Sequence, residues 1–149
     1  MKILVCTDGS RNSIKAVLKA VDIVSGCRVD RVSLISVYEK YHFPHVEHGY
    51  YEEQEEEVKR YHQANQELIR SHEKHLEHAA MRFRENNIEP ELILLEGHPA
   101  DKIAETARDG KYDMIIMGNR GRGGLKKLLL GSVSNAVIQE TEASVLVVK

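Results

Sequence analysis

The chain has 149 residues, of which 42% are hydrophobic and 30% are charged, with a formal net charge of −2. This length predicts a single domain, residues 1–149, that can bury a core, and the composition excludes an intrinsically disordered chain. Without a global positive field we expect no nucleic-acid partner, and without an apolar run near ~20 residues we expect no membrane association.

The first residues and the cysteines predict a cytoplasmic protein. The apolar run Ile3–Cys6 is followed closely by Asp8, so it is too short for a secretory signal. Cys6 and Cys27 have no CxxC spacing, and Cys6 falls within an apolar strand pattern, where we expect it in the core. A reduced compartment is therefore expected.

Strands and helices are predicted to alternate along the chain. Short apolar or β-branched runs predict five strands: Lys2–Thr7, Arg31–Val37, Glu91–Leu95, Asp113–Met117 and Ser144–Val148. Helical periodicity predicts four helices between them: Ser10–Val24, Tyr51–Asn86, Ala100–Arg108 and Ser132–Glu140. Ser10 is the expected N-cap of the first helix. This order, with near-continuous apolar strands, predicts an α/β fold whose parallel sheet is covered by helices on both faces.

The apolar positions predict which helix faces are buried. They are Ile14, Val17, Leu18, Val21 and Val24 in the first helix; Val58, Tyr61, Leu68, Leu76, Ala79, Ala80 and Phe83 in the long second helix; and Ile103, Ala104 and Ala107 in the third.

A glycine-rich loop connects the fourth strand to the fourth helix. Gly118 and Gly121 let a phosphate approach the backbone, and Gly131, Ser132 and the following amides are expected to be unpaired donors. The hydroxyls of Ser132 and Ser134 can add hydrogen bonds. Positive charge comes from Arg120, Arg122, Lys126 and Lys127, although we interpret the two lysines as a solvated helix face rather than a phosphate clamp. The loop predicts an anion site for phosphate, and most simply for a nucleotide.

A second polar loop, Thr7-Asp8-Gly9-Ser10, follows the first strand. If the first and fourth strands are neighbours, the two loops face each other across one crevice. Asp8 can accept a hydrogen bond from a ribose hydroxyl, hold a divalent cation such as Mg²⁺, or simply cap the first helix. Neither loop is a Walker A motif or a dinucleotide fingerprint.

The spacing Gly-x2-Gly-x9-Gly-Ser-x-Ser, after a first strand that ends in Asp-Gly-Ser, resembles the ATP-binding branch of the universal stress protein family. The matching segments are Ile3–Ser10, Gly97–Ala100, Met117–Ser134 and Val145–Val148. The resemblance implies an open, doubly wound, five-stranded sheet of order 3-2-1-4-5, similar to the adenine nucleotide alpha hydrolases. It also implies bound ATP, or AMP or ADP, and a homodimer formed through the terminal strand Val145–Val148.

The resemblance also implies roles for particular positions. Thr7 and Asp8 would lie by the adenosine, and the backbone of Val37 would meet the adenine edge. Ribose and phosphates would be held by Gly118, Gly121, Gly131, Ser132, Val133 and Ser134. The chain departs from the family in having Ser144 where proline is common, and in its long second helix.

Histidines and acidic residues form further clusters, which we interpret as solvated polar surfaces. They are His42, His45 and His48; His72, His75 and His78; and Glu52, Glu53, Glu55, Glu56 and Glu57. The alternative is a metal site formed by His72 and His75 with Glu73 or Glu77.

Three functions remain open from the sequence. The first is an adenine-nucleotide-binding regulatory or stress-response protein with little turnover, because no general base or fixed γ-phosphate cation accompanies the loop. The second is a slow ATPase or nucleotide hydrolase with Mg²⁺ on Asp8. The third is a dimeric interaction module that acts through the long helix, with nucleotide binding incidental. No catalytic residue is assigned.

Overall fold

The computed structural model describes residues 1–42, 51–121 and 130–149, with side chains described from residue 55 onward in the second range. Its strands are β1 (Lys2–Cys6), β2 (Arg31–Tyr38), β3 (Glu91–Glu96), β4 (Met114–Gly118) and β5 (Ser144–Val148). Its helices are α1 (Arg11–Gly26), α2 (Tyr51–Arg84), α3 (Pro99–Asp109) and α4 (Ser132–Glu140). Every predicted element is present, and the bounds differ from the predicted ones by only one or two residues.

The five strands form one parallel sheet in the order β3-β2-β1-β4-β5, which confirms the expected fold. Val5 in the central strand β1 pairs with Leu34 of β2 on one side and with Ile116 of β4 on the other. Because β1 and β4 are parallel neighbours, the loops that follow them lie at the same edge of the sheet.

Each face of the sheet carries its own hydrophobic core. Ile3 and Val5 pack on the side of α1 and α2, whereas Leu4 and Cys6 pack on the side of α3 and α4. Burial on both faces explains why β1 is apolar from Ile3 to Cys6 rather than alternating with polar residues.

The buried face of α1 agrees with the prediction only in part: Val17 and Val21 are buried as predicted, but two other predicted positions are exposed. Ile14 and Leu18 are 51% and 47% exposed, whereas Ala16, Val17 and Ala20 are almost fully buried. Small side chains let the helix approach the sheet closely, so the inward stripe follows the alanines and the two larger side chains lie on the flank.

Only the C-terminal half of α2 packs fully onto the sheet. Leu76, Ala79, Ala80 and Phe83 are buried, whereas Tyr61 and Leu68, nearer the start of the helix, are only half-buried. Within the described ranges, none of the helices combines the length and apolarity needed to cross a membrane.

A hydrogen-bond chain crosses the start of β2, from the buried Tyr112 and Ser33 to the exposed Glu91. The Tyr112 hydroxyl donates to Ser33 Oγ over 2.6 Å, and Ser33 Oγ donates in turn to Glu91 Oε2 over 2.8 Å. Replacing Ser33 by alanine is expected to lower the free energy of unfolding by about 1–3 kcal/mol, because the buried Tyr112 hydroxyl then has no acceptor. Urea denaturation measures this change.

The companion variant Tyr112→Phe removes the same hydrogen bond but leaves no buried donor unpaired, because Ser33 keeps Glu91 as its acceptor. We therefore expect it to cost less, about 1 kcal/mol. A Ser33→Ala variant as stable as the wild type, or more stable than Tyr112→Phe, would contradict this assignment.

Candidate functional site

A cavity of about 450 Å³ opens at the carboxyl ends of β1 and β4. Its volume lies within the range of roughly 300–1,000 Å³ that is common for small-molecule sites. The structure brings all the residues predicted for nucleotide binding to its wall: Thr7, Asp8, Val37, Gly118, Gly121, Gly131, Ser132, Val133 and Ser134. The two loops predicted to face each other therefore do so across one crevice.

The first turn of α4 supplies backbone donors to this cavity. The first intrahelical bond in this turn runs from the Asn135 amide to the Gly131 carbonyl over 3.0 Å. The amides of Ser132, Val133 and Ser134 precede it, so helical geometry gives them no acceptor within the helix. This turn contains no acidic residue, and the positive end of the helix dipole adds to its attraction for an anion.

The Gly131 amide and the Ser134 hydroxyl have roles that differ from those predicted. The Gly131 amide donates to the Asn119 carbonyl over 2.7 Å, so it is not a vacant donor. The Ser134 hydroxyl is buried and lies 3.1 Å from the carbonyl oxygens of both Asn119 and Gly131. Both groups therefore hold Asn119 at the start of α4, which periodicity and spacing could not indicate.

Asp8 reaches across the crevice from the β1 side. Its Oδ1 accepts a hydrogen bond from the Ser10 amide over 3.0 Å, and a Cβ built on Gly121 would lie 2.7 Å from its Oδ2. The N-cap of α1 is Ser10, whose Oγ accepts from the Ser13 amide over 3.2 Å. The interpretation of Asp8 as the helix cap is therefore wrong.

Part of the cavity wall is apolar, which was not predicted. It is formed by Cys6, Ile35, Pro99, Ile103 and Met117. These residues come from strand ends and from the start of α3, so only the strand order brings them together. Such a wall suits a flat, uncharged ring system better than it suits phosphate.

Positive charge reaches the cavity through Arg120, which lies in its wall. The other predicted cations, Arg122, Lys126 and Lys127, fall outside the described residues. The same is true of His45, His48 and the side chains of Glu52 and Glu53, whereas Glu55, Glu56 and Glu57 are exposed as predicted.

One histidine of α2, His72, differs from the predicted solvated surface, whereas His78 agrees with it. His72 is buried, and its Nδ1 forms a hydrogen bond of 2.8 Å with Ser36 Oγ, while His78 is exposed. Among the residues that the structure describes, no group of three histidine, cysteine or acidic side chains is arranged to hold a metal ion.

Cys6 lies in the apolar wall and is buried, as predicted. Burial, with a smaller contribution from the nearby Asp8 carboxylate, raises the pKa of its thiol to about 12. Because the thiolate is the reactive form, iodoacetamide at pH 8 is expected to label the exposed Cys27 and to spare Cys6. Mass spectrometry of the peptides checks this, with urea-unfolded protein as the control in which both are labelled; equal labelling in the folded protein would contradict it.

Comparison with known proteins agrees with this architecture. The profile of the universal stress protein family matches residues 1–149. The Bacillus subtilis universal stress protein YxiE is 32% identical, and the alignment covers 99% of this chain and 98% of that protein. These two matches extend from one end of the sequence to the other.

Solved structures of this family share the fold. MJ0577 of Methanocaldococcus jannaschii superposes with a TM-score of 0.77 at 26% identity, over 99% of this chain and 94% of its own. A universal stress protein solved in complex with cAMP gives a TM-score of 0.65 at 24% identity, over 100% of this chain and 96% of its own, a likeness that concerns the fold alone. The family match over the whole chain, the identity to YxiE and the sheet order together show that this chain belongs to the universal stress protein family.

Proposed function

We propose that this protein binds an adenine nucleotide, with ATP as the expected ligand, in the crevice between β1 and β4. The observation that carries the proposal is the first turn of α4, whose residues Ser132, Val133 and Ser134 line a cavity of ligand size. Helix N-termini with unpaired amides are common phosphate sites in α/β proteins.

The cavity wall suggests how the parts of the ligand would be arranged. The adenine ring would lie against the apolar wall that contains Ile103 and Met117, with its edge towards the backbone of Val37. The carboxylate of Asp8, opposite Gly121, would accept a hydrogen bond from the ribose. The phosphates would then reach the α4 amides. A family member of the same fold, solved in complex with cAMP, supports a nucleotide as the ligand class.

Two measurements test the choice of ligand. Mass analysis of the ligand released from freshly purified protein should find an adenine nucleotide. Calorimetric titration should then give a lower Kd for ATP than for GTP, because the backbone of Val37 would meet the purine edge with a donor and acceptor pattern that suits adenine. Equal affinity for the two would contradict adenine selectivity, and no binding of either at millimolar concentration would contradict the proposal itself.

Asp8 fits the role of a single carboxylate ligand for Mg²⁺, since this ion usually takes one or two carboxylates together with phosphates and water. Its Oδ2 lies on the cavity side near Gly121. The ion would neutralise phosphate charge. We assign a catalytic role to none of the described residues of the cavity wall. We therefore propose binding with a regulatory or stress-response role rather than turnover. Steady phosphate release that is lost in Asp8→Asn would instead favour the slow ATPase.

We also propose that the protein forms a homodimer through β5. This strand is at the edge of the described sheet and pairs only with β4 there, so its outer side can pair with a second copy. Sedimentation equilibrium distinguishes the dimer from the monomer.

A further inference from the structure

The helix α2 contacts the carboxyl-terminal edge of the sheet through two histidines. His72 is 6% exposed and forms its hydrogen bond with Ser36 Oγ in β2. Its ring centroid lies 6.0 Å from that of Tyr38 and 5.9 Å from that of His75, with the two imidazoles nearly perpendicular at 72°. The pair therefore connects the helix to the end of β2 rather than facing solvent.

His75 packs against the loop that follows β1. A Cβ built on Gly9 would lie 2.3 Å from both Cδ2 and Nε2 of the imidazole, so the ring occupies the space that any other side chain at position 9 would need. Gly9 also has a φ of +75°, a conformation that glycine adopts without strain. The ring thus contacts the turn at its most constrained residue.

This turn carries Asp8 to the cavity. Gly9 lies between Asp8, which is in the cavity wall, and Ser10, which caps α1 and donates its amide to Asp8 Oδ1. Within the described part of the chain, His75 is not in the cavity wall itself. Any effect of His75 on a ligand must therefore act through the turn.

The same face of α2 holds a second loop. The side-chain amide of Asn65 accepts from the Tyr41 amide over 2.8 Å and donates to the Tyr41 carbonyl over 3.0 Å. Positions 65, 72 and 75 are separated by seven and three residues, so they lie on one side of the helix. The helix therefore supports both the segment after β2 and the turn after β1.

We propose that His75 is a positioning residue of the nucleotide site, whose ring holds the Asp8-Gly9-Ser10 turn so that Asp8 stays opposite Gly121. The inference rests on the proposed function, because its main consequence is a change in nucleotide affinity. It also gives the long helix a role at the site without contact with the ligand.

The first test compares single variants by calorimetric titration with ATP. His75→Ala is expected to raise the Kd roughly 3- to 30-fold, a range typical of mutations that act through a neighbouring element. His78→Ala, on an exposed position of the same helix, is the matched control and should bind as the wild type does. His75→Gln keeps an amide near the position of Nε2 and should restore most of the affinity.

A double variant separates contact with the turn from a general loss of stability. Gly9→Ala places its methyl group against the ring and should bind ATP weakly. In the Gly9→Ala/His75→Ala protein the methyl group has space, so the Kd should fall at least ~3-fold below that of Gly9→Ala, as coupling between contacting residues requires. If the loss of binding free energy in the double variant equals the sum of the losses in the two single variants, the proposal is overturned.

The hydrogen-exchange rate of the Ser10 amide tests this inference independently of the proposed function, because it can be measured without ligand. The bond from this amide to Asp8 should open more often in His75→Ala than in the wild type or His78→Ala, with or without ligand. If the wild type binds no ATP, the proposed function fails, while faster Ser10 exchange still supports the positioning role. Unchanged Ser10 exchange together with unchanged ATP affinity in His75→Ala would overturn the inference.

Discussion

Replacing Ser132 by aspartate is expected to remove most ATP binding while the fold keeps its stability or gains some. Ser132 is the first residue of α4 and lines the cavity, and the first turn of that helix has no acidic residue. A carboxylate there interacts favourably with the helix dipole, by about 0.3–1 kcal/mol. The same charge occupies the position proposed for phosphate and repels it, so we expect the Kd to rise on the order of 100-fold.

Opposite changes in stability and affinity are what distinguish an anion site from a purely structural helix start. Calorimetry with ATP and thermal unfolding of the ligand-free protein measure the two quantities. Ser132→Asn, similar in size but uncharged, is the matched control and should retain binding within a few-fold. If Ser132→Asp binds ATP as the wild type does, phosphate does not lie at α4.

Replacing Gly118 by alanine is expected to destabilise the protein by about 3 kcal/mol, at the upper end of the usual cost of overpacking. A Cβ at this position would lie 2.7 Å from the carbonyl carbon of Asn12 and 2.9 Å from the Ser13 nitrogen. These are backbone atoms of the first turn of α1, so the helix itself must move away from β4. Urea denaturation measures the loss.

Gly26→Ala is the control for the general effect of removing a glycine. Gly26 ends α1, and a Cβ there would meet nothing within 4 Å. We expect this variant to be more stable by about 0.4–1 kcal/mol, because alanine lowers the entropy of the unfolded chain. The account of close packing between α1 and β4 is wrong if Gly118→Ala proves as stable as Gly26→Ala.

The sequence predicted the elements well because short apolar runs indicate the strands and a helical period indicates the helices. Alternation of strand and helix indicates a parallel sheet on physical grounds. The strand order itself came from the resemblance carried by Asp8 and the glycines between Gly118 and Gly131. The same order explains why the predicted site residues line one cavity.

Contacts between distant segments could not be predicted in the same way. Periodicity places Ile14 on the apolar side of α1, but the close approach of that helix to the sheet is decided by Ala16 and Ala20. His72 is polar in sequence and buried in the structure, because Ser36 provides a hydrogen-bond partner across the sheet–helix interface. Nothing local to either residue indicates that pairing.

The different roles of Gly118, Gly121 and Gly131 can be distinguished only in the structure. Gly118 is required for close packing with α1, and Gly121 leaves space for the Asp8 carboxylate. At Gly131 a Cβ would have its nearest contact at 3.4 Å, from the Cα of Arg120, so the fold tolerates a larger residue there. The sequence motif assigns all three to the phosphate, and the packing gives Gly118 and Gly121 a structural role in addition to their place in the cavity wall.

The central claim is that an adenine nucleotide binds with its phosphates at the start of α4. Titration of ¹⁵N-labelled protein with ATP, followed through the backbone amide resonances, tests it most directly. We predict saturable shifts that are largest at Ser132, Val133 and Ser134, with smaller ones at Asp8 and Gly121. The absence of saturable shifts at millimolar ATP, or saturable shifts that leave these three amides unchanged, would contradict the claim.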